Sequence, residues 1–388
     1  MVDAYDAPLP ARVVDRAGAP VGEVVHEGGA IDLLRLPRMR HTAAETHPYL
    51  TAAAVVARDP ISNVLNVSYH RLMLLGPRRT GISMTPGGHL DRIFRMNAAD
   101  GRDTQIAVFI GTHPLCALGL LASGPPDLDE FAVVGALLGK PLTVVPCLLD
   151  PQLLVPESAE IVMEGRIRHS VLADEGPFGE FAGYATEVAP APVVDIDLVY
   201  SRAEPIYQDI VAGRLEHLTL TGTALRAHLI RSVVRAFPGV IDLHLPAPLT
   251  LFLKLDRTVD GAPVIREMLA EVLRREPFLK QVFCFDSDID LKSQQSTQWA
   301  LATRTQPDRD ILILSDRPAT GLDPSEVGGR TARWGVDATA KPRLDHFAPR
   351  NSIPAEVLAR VDVAELMRQP PDTVDANALA RPATPVAG

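Results

Sequence analysis

Between Tyr49 and Val199 the sequence consists of short apolar runs that end at glycine, proline or a charged residue. Runs of this length and composition are typical of β-strands. Six of them are predicted strands: "TAAAVVARD", "ISNVLNVSY", "RLMLLG", "RTGISMTP", "TQIAVFIG" and "VVDIDLVYS". One segment, "DEFAVVGALLG", instead predicts a helix with Asp129 as its N-cap and Gly139 at its C-terminal end. This part of the chain predicts a mostly antiparallel barrel or sandwich with insertions.

After Arg202 the pattern changes to strands that alternate with helices. "PLTLFLKLDR", "KQVFCFDSDID" and "DILILS" are predicted strands, and "STQWALATRT" is a predicted helix. "PVIREMLAEVLRREP" predicts an amphipathic helix, because its apolar residues recur at helical spacing: Ile265, Met268, Leu269, Val272 and Leu273. Such alternation favours an α/β layer domain. The first 45 or so residues are polar, with strand-like runs such as "VGEVVHEGGAIDLLRLP".

Composition limits the class of protein. The 388 residues are 46% hydrophobic and 22% charged, as in ordinary globular proteins. The net charge of -10, with both signs interspersed, argues against a nucleic-acid partner. No apolar run reaches the ~18 residues of a membrane span, and the N-terminus lacks a secretion signal. Cys116, Cys147 and Cys284 are far apart, which indicates buried, reduced thiols. We expect a cytoplasmic protein.

The stretch "EGPFGEFAGY" holds Glu175 and Glu180 five positions apart in a glycine- and proline-rich turn. Two carboxylates held close together cannot both ionise freely, especially beside Phe178 and Phe181. One of them could deliver a proton at neutral pH while its ionised partner pairs with an arginine. The alternative is a Gly-Pro loop with two solvated acids. Spacing alone does not decide between the two.

Three further polar residues form a candidate ligand set. Asn66 in "NVSYHR", His89 in "SMTPGGHLD" and Glu130 supply an amide oxygen, an imidazole and a carboxylate, which suit Mn²⁺ or Mg²⁺. Taken singly, they are a turn residue, a surface loop residue and a charge at a helix start. Arg71 follows Asn66 by five positions, so a turn or bulge must intervene if both are to reach one site.

Together these stretches resemble the UbiD-type family of decarboxylases, which use prenylated FMN. The resemblance is collinear from Asn66 to Pro342 and includes "NVSYHR", "GGHLD", "IGTHP", "DEFAVVGALLGKP", "VPESAEIVMEGRI", "EGPFGEFAGY", "SDIDLKSQQSTQWALATRTQPDRDILI" and "GVDATAKP". The sequence departs from the family in its shorter stretch before Asn66 and at two positions of "NVSYHR". Ser68 stands where many members carry glycine, and His70 stands where an aromatic residue usually precedes the arginine.

The resemblance implies roles for individual residues. Arg71 would hold the substrate carboxylate and pair with Glu175, and Glu180 would be the proton donor. Asn66, His89 and Glu130 would bind Mn²⁺ (or Mg²⁺) at the cofactor phosphate, with K⁺ as a further candidate cation. The implied cofactor contacts are Asn66, Ser68, Tyr69, His70, Arg71, Ile82, Ser83, Gly88, His89 and Glu130. Phe181 and Thr221 would line the substrate pocket.

The resemblance also implies a mixed α+β fold and a division of the chain. Residues 1–48 would be a shortened N-terminal region, and 49–202 a flavin-reductase-like split β-barrel that binds the cofactor. Residues 203–350 would form a C-terminal α/β domain for oligomerisation and active-site cover, and 351–388 a C-terminal helix and mobile tail. The implied partners are a small carboxylic acid, a flavin prenyltransferase that supplies the cofactor, and further copies of the chain in a homodimer or higher oligomer.

The function that follows is reversible non-oxidative decarboxylation of an unsaturated or (hetero)aromatic carboxylic acid. Decarboxylation leaves electrons on carbon, and protein side chains provide no sink for them. The alternative is a non-catalytic relative that binds flavin or metal and serves in assembly or regulation. The retained Arg71, Glu175 and Glu180 favour catalysis, because a binding protein needs no proton donor. They also have no role in a third possibility, a reductase that uses plain FMN.

Overall fold

The computed structural model describes residues 1–341, 350–351 and 353–360. Met1–Thr339 form one compact unit, and a second unit begins at Ala340. Of the predicted C-terminal helix and mobile tail, residues 352 and 361–388 lie outside the described residues, as does Pro342 of "GVDATAKP". None of the helices in the described ranges combines the length and the apolar character needed to cross a lipid bilayer.

The first part of the main unit contains, in chain order, α1 (Val2–Asp6), β1 (Arg12–Val13), β2 (Val24–Glu27), β3 (Tyr49–Leu50), β4 (Ala54–Arg58), β5 (Leu65–Tyr69), β6 (Leu72–Gly76), β7 (Arg79–Ile82), α2 (His89–Ala99), β8 (Thr104–Ile110), α3 (Pro114–Gly119), α4 (Glu130–Leu138), β9 (Thr143–Pro146), β10 (Leu154–Pro156), β11 (Ile161–Glu175) and β12 (Ala189–Ser201). The second part contains α5 (Leu215–Leu229), a π-helical turn (Ile230–Val234), β13 (Val240–His244), β14 (Thr250–Leu255), α6 (Ile265–Arg275), β15 (Gln281–Asp286), α7 (Gln294–Arg304), α8 (Pro307–Asp310), β16 (Ile311–Pro318) and β17 (Arg330–Ala338). Helix α9 (Ala355–Leu358) belongs to the second unit.

A nine-stranded sheet occupies the first part of the unit. Its strand order is β3-β6-β7-β12-β11-β8-β4-β5, and β2 also pairs with β12. Every pairing in it is antiparallel, as the sequence predicts. The sheet is a curled half-barrel, and together with the second sheet and its helices it gives the predicted mixed α/β fold. A small three-stranded sheet, β1-β9-β10, lies beside it.

Strand β4 explains why the apolar runs lack alternation. Ala54 and Val56 belong to one buried cluster, while Val55 and Ala57 belong to another. Successive side chains of a strand point to opposite faces, so both faces of the sheet are covered here. A strand buried on both sides needs an unbroken apolar run. The core of this part therefore consists of two layers, one on each side of the sheet.

The second part of the unit is the predicted α/β layer. Its sheet has the order β13-β14-β15-β17-β16, with parallel pairs at β14–β15 and β15–β17. The apolar stripe of α6 packs on one face of β15, against Val282 and Cys284. On the opposite face, Phe283 and Phe285 pack against the α7 region. The predicted helix and strand pattern after Arg202 is confirmed.

Several local predictions are confirmed and one is wrong. Asp129 caps α4 by accepting a hydrogen bond from Ala132 N, and Gly139 ends that helix in the left-handed region. All three cysteines are buried, reduced thiols, as the sequence predicts. The strand-like run over 21–37 is mostly not a strand. Only β2 forms, because Gly28 breaks it at positive φ and Asp32 then caps a short 3-10 turn at Leu33–Arg35.

Candidate active site

The turn that carries the two glutamates is a small hairpin between β11 and β12. Strand β11 ends at Glu175. Glu180 N donates to the carbonyl of Tyr184 (2.9 Å), and Thr186 N donates to the carbonyl of Phe178 (2.8 Å). A β-bridge joins Gly179 to Ala185. The turn is therefore ordered by its own backbone and is not a loosely solvated loop.

Two glycines of this hairpin are required by close contacts. Gly176 has φ +103°, and a Cβ there would lie 2.7 Å from the carbonyl oxygen of Glu187. A Cβ on Gly179 would lie 2.4 Å from Cγ2 of Thr42. Neither position accepts a larger side chain without movement of its neighbours. The glycine-rich composition thus reflects tight packing of the turn against the rest of the protein.

Arg71 lies between the two glutamates. Strand β5 ends at Tyr69 and β6 begins at Leu72, so Arg71 sits in the predicted break. Its Nε and Nη2 donate to the two carboxylate oxygens of Glu175, both at 2.8 Å, and its Nη1 donates to Oε1 of Glu180. The side chains of these residues are 12%, 5% and 17% exposed, respectively. The structure therefore brings Arg71, Glu175 and Glu180 into one largely buried ionic network.

Aromatic rings enclose this network on one side. The Phe178 ring centroid lies 4.6 Å from Cζ of Arg71, and the Tyr49 ring packs on Phe178 at 4.8 Å. The Tyr49 hydroxyl accepts a hydrogen bond from Gly176 N (3.1 Å). Burial is the main cause that raises the pKa of Tyr49. Ionic contacts are stronger in such apolar surroundings than in water. Tyr49 was not among the predicted site residues, because nothing in a two-residue strand signals it.

The first turn of α5 adds a histidine that the sequence analysis did not single out. The His217 ring meets Phe181 edge-on at 6.4 Å, and its Nδ1 accepts a hydrogen bond from Gly213 N (3.0 Å). Burial lowers the pKa of His217. A neutral ring with Nδ1 as acceptor carries its hydrogen on Nε2. Thr221, one helical turn further on, donates its hydroxyl to the His217 carbonyl (2.7 Å).

The predicted ligands Asn66 and Glu130 lie on neighbouring elements. Asn66 is buried on β5, so it is not a turn residue, and its Nδ2 donates to Ser68 Oγ (3.1 Å). Glu130 begins α4, which packs against β5, and it is 3% exposed. Its Oε2 accepts from Val67 N (3.1 Å), and burial raises its pKa to about 8. A buried carboxylate either keeps its proton or gains a cation, so this residue fits a metal ligand.

His89 is the third predicted ligand. It is the first residue of α2, another helix that packs against β5, and Gly88 is the N-cap of that helix. One ring N–H donates to the carbonyl of Gly124, and burial lowers the pKa of the imidazole. A neutral imidazole anchored through one nitrogen offers the other as a ligand. No cluster of three His, Cys, Asp or Glu side chains suited to a metal occurs in the ranges that the structure describes. The predicted set has two members of those residue types, His89 and Glu130, with the Asn66 amide as its third, and it stays a prediction.

The remaining predicted cofactor contacts lie on strands β5 and β7 or directly after them. Ser68, Tyr69 and His70 are half-buried at the end of β5. Ser83 follows β7, and its carbonyl accepts a hydrogen bond from His70 Nδ1 (2.9 Å). Ile82 ends β7 with its side chain fully buried in the core. The roles predicted for these residues, for Phe181 and for Thr221 stay predictions.

A buried polar cluster supports the hairpin from outside the site. The His41 ring contacts Oδ2 of Asp209 (2.6 Å), and Asp209 also accepts from the Thr51 hydroxyl. Glu45, fully buried, accepts from His41 N (2.7 Å). Asp209 lies four residues before Gly213, whose Cβ position is 3.3 Å from the carbonyl of Glu180. The cluster thus joins segment 41–51, which packs on the hairpin, to the segment that precedes α5.

The sequence of this chain is similar to those of known proteins. The UbiD family models match this chain twice: the 3-octaprenyl-4-hydroxybenzoate carboxy-lyase Rift-related domain over residues 12–215 and the C-terminal domain over 218–338. Anhydromevalonate phosphate decarboxylase of Methanothermobacter thermautotrophicus is 33% identical over 347 residues, which span 88% of this chain and 79% of that protein.

Solved structures of similar fold include UbiD-class enzymes. The UbiD-class enzyme HmfF from Pelotomaculum thermopropionicum, in complex with FMN, is 36% identical with a TM-score of 0.84, covering 94% of this chain and 81% of that one. An evolved dimeric form of HmfF in complex with prFMN is 35% identical with a TM-score of 0.80, covering 94% of this chain and 80% of that one. Vanillic acid decarboxylase of Sedimentibacter hydroxybenzoicus in closed form is 26% identical with a TM-score of 0.82, covering 95% of this chain and 81% of that one.

Proposed function

Because the chain belongs to the UbiD family of carboxy-lyases, we propose that it catalyses the reversible, non-oxidative decarboxylation of an unsaturated or (hetero)aromatic carboxylic acid with prenylated FMN as cofactor. The relatives support the class of reaction, since vanillic acid decarboxylase and anhydromevalonate phosphate decarboxylase both bear the name of a decarboxylase. HmfF in complex with FMN and with prFMN supports the cofactor.

The observation that carries the proposal is the network around Arg71. A guanidinium has five N–H donors. Two of them meet Glu175, one meets Glu180, and Nη2 lies 3.5 Å from the Thr186 hydroxyl. The second N–H on Nη1 has no acceptor among the residues that the structure describes. A substrate carboxylate that takes both N–H groups of Nη1 displaces Glu180, while the Glu175 pair keeps the guanidinium fixed.

Glu180 is the proposed proton donor. Its second carboxylate oxygen accepts from Phe181 N (3.2 Å), so the side chain keeps an anchor when Oε1 leaves Arg71. A substrate carboxylate at Nη1 takes the place of Glu180 on the guanidinium, which leaves Oε1 of Glu180 without its cation. The acid then supplies the proton that takes the place of CO₂ on carbon. Arg71 and Glu175 orient the carboxylate that leaves.

Cofactor and cation binding complete the proposal. Prenylated FMN, when bound, supplies the electron sink for the carbon that loses CO₂. Asn66, His89 and Glu130 would hold Mn²⁺ or Mg²⁺, with K⁺ as a further candidate, at the cofactor phosphate. The buried Glu130 carboxylate and the anchored His89 ring support this set. Phe181 and Thr221 would line the substrate side. A flavin prenyltransferase is the proposed source of the cofactor.

The finer description of the fold belongs to the same proposal. The curled antiparallel sheet supports a flavin-reductase-like split β-barrel at 49–202, followed by an α/β domain at 203–350. Residues 1–48 would form the shortened N-terminal region, and 351–388 the C-terminal helix and tail. The dimeric form of HmfF supports a homodimer, with a higher oligomer as an extension of it.

The test is to produce the full chain together with a flavin prenyltransferase and to determine the mass of the bound flavin. The holoenzyme is then offered benzoic, heteroaromatic and α,β-unsaturated acids, and CO₂ release is measured. We expect a prenylated flavin and turnover of at least one acid. The same chain loaded with plain FMN is the matched control. Equal turnover with plain FMN, or a holoenzyme that turns over none of the acids, contradicts the proposal.

A further inference from the structure

Three successive hydrogen bonds connect the Ser83 carbonyl to Asn66 through His70 and Ser68. The Ser83 carbonyl contacts Nδ1 of His70 (2.9 Å), and Nε2 of His70 contacts Oγ of Ser68 (2.9 Å). Ser68 Oγ in turn contacts Nδ2 of Asn66 (3.1 Å). Residues 66, 68 and 70 are two apart, so an extended backbone places their side chains on one face. Apart from the cofactor contact predicted for both, Ser68 and His70 have no task in the proposed function.

The direction of every bond in this series is set at its Ser83 end. A carbonyl only accepts hydrogen bonds, so Nδ1 of His70 must carry a hydrogen. Burial lowers the pKa of His70, which keeps the ring neutral. A neutral ring with its hydrogen on Nδ1 has a lone pair on Nε2, so Nε2 accepts from Ser68. The single hydroxyl hydrogen of Ser68 is then used.

The orientation of the Asn66 amide follows from this. Ser68 Oγ can only accept from Asn66, and within an amide only the NH₂ group donates. The amide nitrogen therefore faces Ser68, and Oδ1 faces the other way. Oδ1 accepts no hydrogen bond from any residue that the structure describes. If the amide turned over, it would offer N–H groups to a cation in place of an oxygen.

We propose that Ser68 and His70 are positioning residues that hold the Asn66 amide with its oxygen toward the cation site. The inference rests on the proposed function, because it takes Asn66 to be a cation ligand. Partners that orient a ligand in this way change metal affinity by about 10–100-fold when they are removed. The effect should therefore be visible in cation binding itself, without any turnover.

The experiment titrates the full chain with Mn²⁺ in the presence of FMN. Free Mn²⁺ is followed by its electron paramagnetic resonance signal, and melting temperature and circular dichroism report folding. Ser68→Ala is expected to weaken Mn²⁺ binding about 10–100-fold. Ser68→Thr keeps the hydroxyl and is expected to retain the affinity. His70→Phe frees the Ser68 hydroxyl to donate to Oδ1, so it is also expected to weaken binding.

Two comparisons distinguish an effect on the orientation of the Asn66 amide from a general loss of folding. The double variant Ser68→Ala/His70→Phe should bind Mn²⁺ no more weakly than Ser68→Ala alone, because both changes break one series of hydrogen bonds. His26→Phe, at a half-buried histidine of β2, should leave Mn²⁺ affinity unchanged. If His70→Phe lowers the melting temperature, the serine pair, which differs by small groups, still decides the question.

Asn66→Ala distinguishes the two levels of failure. If Asn66→Ala abolishes Mn²⁺ binding while Ser68→Ala binds like the wild type, Asn66 is a ligand and the orienting series of hydrogen bonds is refuted. If Asn66→Ala itself binds like the wild type, Asn66 is not a ligand. The proposed cation set then fails, and the inference fails with it. If the losses of Mn²⁺ affinity add up in the double variant, Ser68 and His70 do not act through one series of hydrogen bonds, and the inference is also overturned.

Discussion

At the scale of the residue, Arg71 is held by geometry that another cation cannot copy. Its planar fork meets both oxygens of Glu175 at 2.8 Å and still reaches Glu180. A lysine keeps the charge but has no fork. We expect Arg71→Lys to lower turnover by about 10²-fold, since a misplacement of ~1 Å costs that much. The measurement combines CO₂ release with equilibrium binding of a non-reactive substrate analogue, which should also weaken.

Arg79→Lys is the matched control for this substitution. Arg79 contacts Asp195 at 2.7 Å, but its side chain is 59% exposed and it lies in strand β7. An exposed ion pair contributes little, so turnover and analogue binding should not change. If Arg71→Lys behaves like Arg79→Lys in both measurements, Arg71 has only an electrostatic role or none.

Glu180→Gln tests the proton donor at the same scale. Glutamine keeps the shape and the hydrogen bond from Phe181 N but has no acidic proton. Flavin and Mn²⁺ content should stay at the wild-type level, while decarboxylation should fall by at least roughly 10²-fold. In D₂O the wild type should place deuterium on the carbon that lost CO₂. Near-normal turnover of Glu180→Gln would assign the proton to another group.

At the scale of the element, the hairpin after β11 depends on its fit to segment 41–51. A Cβ on Gly179 would lie 2.4 Å from Cγ2 of Thr42. Gly179→Ala should destabilise the protein by about 1–3 kcal/mol, the usual cost of overpacking. Thr42→Ser in the same chain removes Cγ2 and should restore part of that loss. Urea unfolding measures both variants.

Gly29→Ala is the control for this pair. Nothing lies within 4 Å of a Cβ built on Gly29, so its unfolding free energy should stay near the wild-type value. Equal stability of Gly179→Ala and Gly29→Ala would show that the turn adapts easily. In that case its glycine content would need another explanation.

The His41–Asp209 contact makes the support of the hairpin depend on pH. The hydrogen bond to Asp209 is the main cause that raises the pKa of His41. A pKa that is higher in the folded state gives stability that is full below the unfolded value, about 6.5, and is lost as pH rises through the folded value. His41→Gln should therefore cost more stability at pH 6 than at pH 9, measured by urea unfolding.

His47→Gln provides the comparison for His41→Gln. His47 lies in the same segment and is exposed. Because the side chain is exposed, its substitution should change stability little. A loss for His41→Gln that is the same at pH 6 and pH 9 would mean that the charge of His41 contributes nothing, although its packing does.

At the scale of the whole molecule, α1 connects the first part of the unit to the helix that leads into the second sheet. Tyr5 is 6% exposed, its hydroxyl accepts from Ser123 N (2.8 Å), and Arg231 lies over its ring at 4.6 Å. Tyr5→Ala should lower the unfolding free energy by about 3–5 kcal/mol, as for other buried aromatic residues. Calorimetry or urea unfolding would measure it.

Asp6→Ala is the contrasting variant on the same helix. Asp6 pairs with Arg235 at 3.0 Å and 2.5 Å, but both side chains are well exposed. An exposed ion pair stabilises little, and less in salt. The melting temperature should barely change. If Asp6→Ala destabilises as much as Tyr5→Ala, the ion pairs contribute as much as the buried ring to connecting the two parts.

Local patterns predict much of this molecule, and long-range contacts explain what they miss. The α6 stripe and the Asp129 cap follow from neighbouring residues, so the sequence predicts them. The β4 run predicts a strand, and only the fold shows that both its faces are covered. Helices α2, α3 and α5 were not predicted. Glycines precede or interrupt α2 and α5, and α3 is short.

The candidate site divides in the same way. Arg71, Glu175 and Glu180 were found because a specific motif carries two of them, and the structure joins the three. Tyr49, His41 and His217 were missed, since each meets its partners only after the chain has folded. The sequence pattern identifies Glu130 as a charge at a helix start, but it does not predict that this side chain is buried. Spacing along a chain does not report how much protein later covers a side chain.

The hairpin that carries Glu180 has a consequence for protein engineering. Gly176 N donates to the hydroxyl of Tyr49, which lies 127 positions earlier in the chain, and Gly213 lies close to the Glu180 backbone. Residues 175–188 transplanted into another β-sheet would leave both supports behind. A designer who wants this acid in a new enzyme must copy three separate segments, so directed evolution should begin from the intact chain.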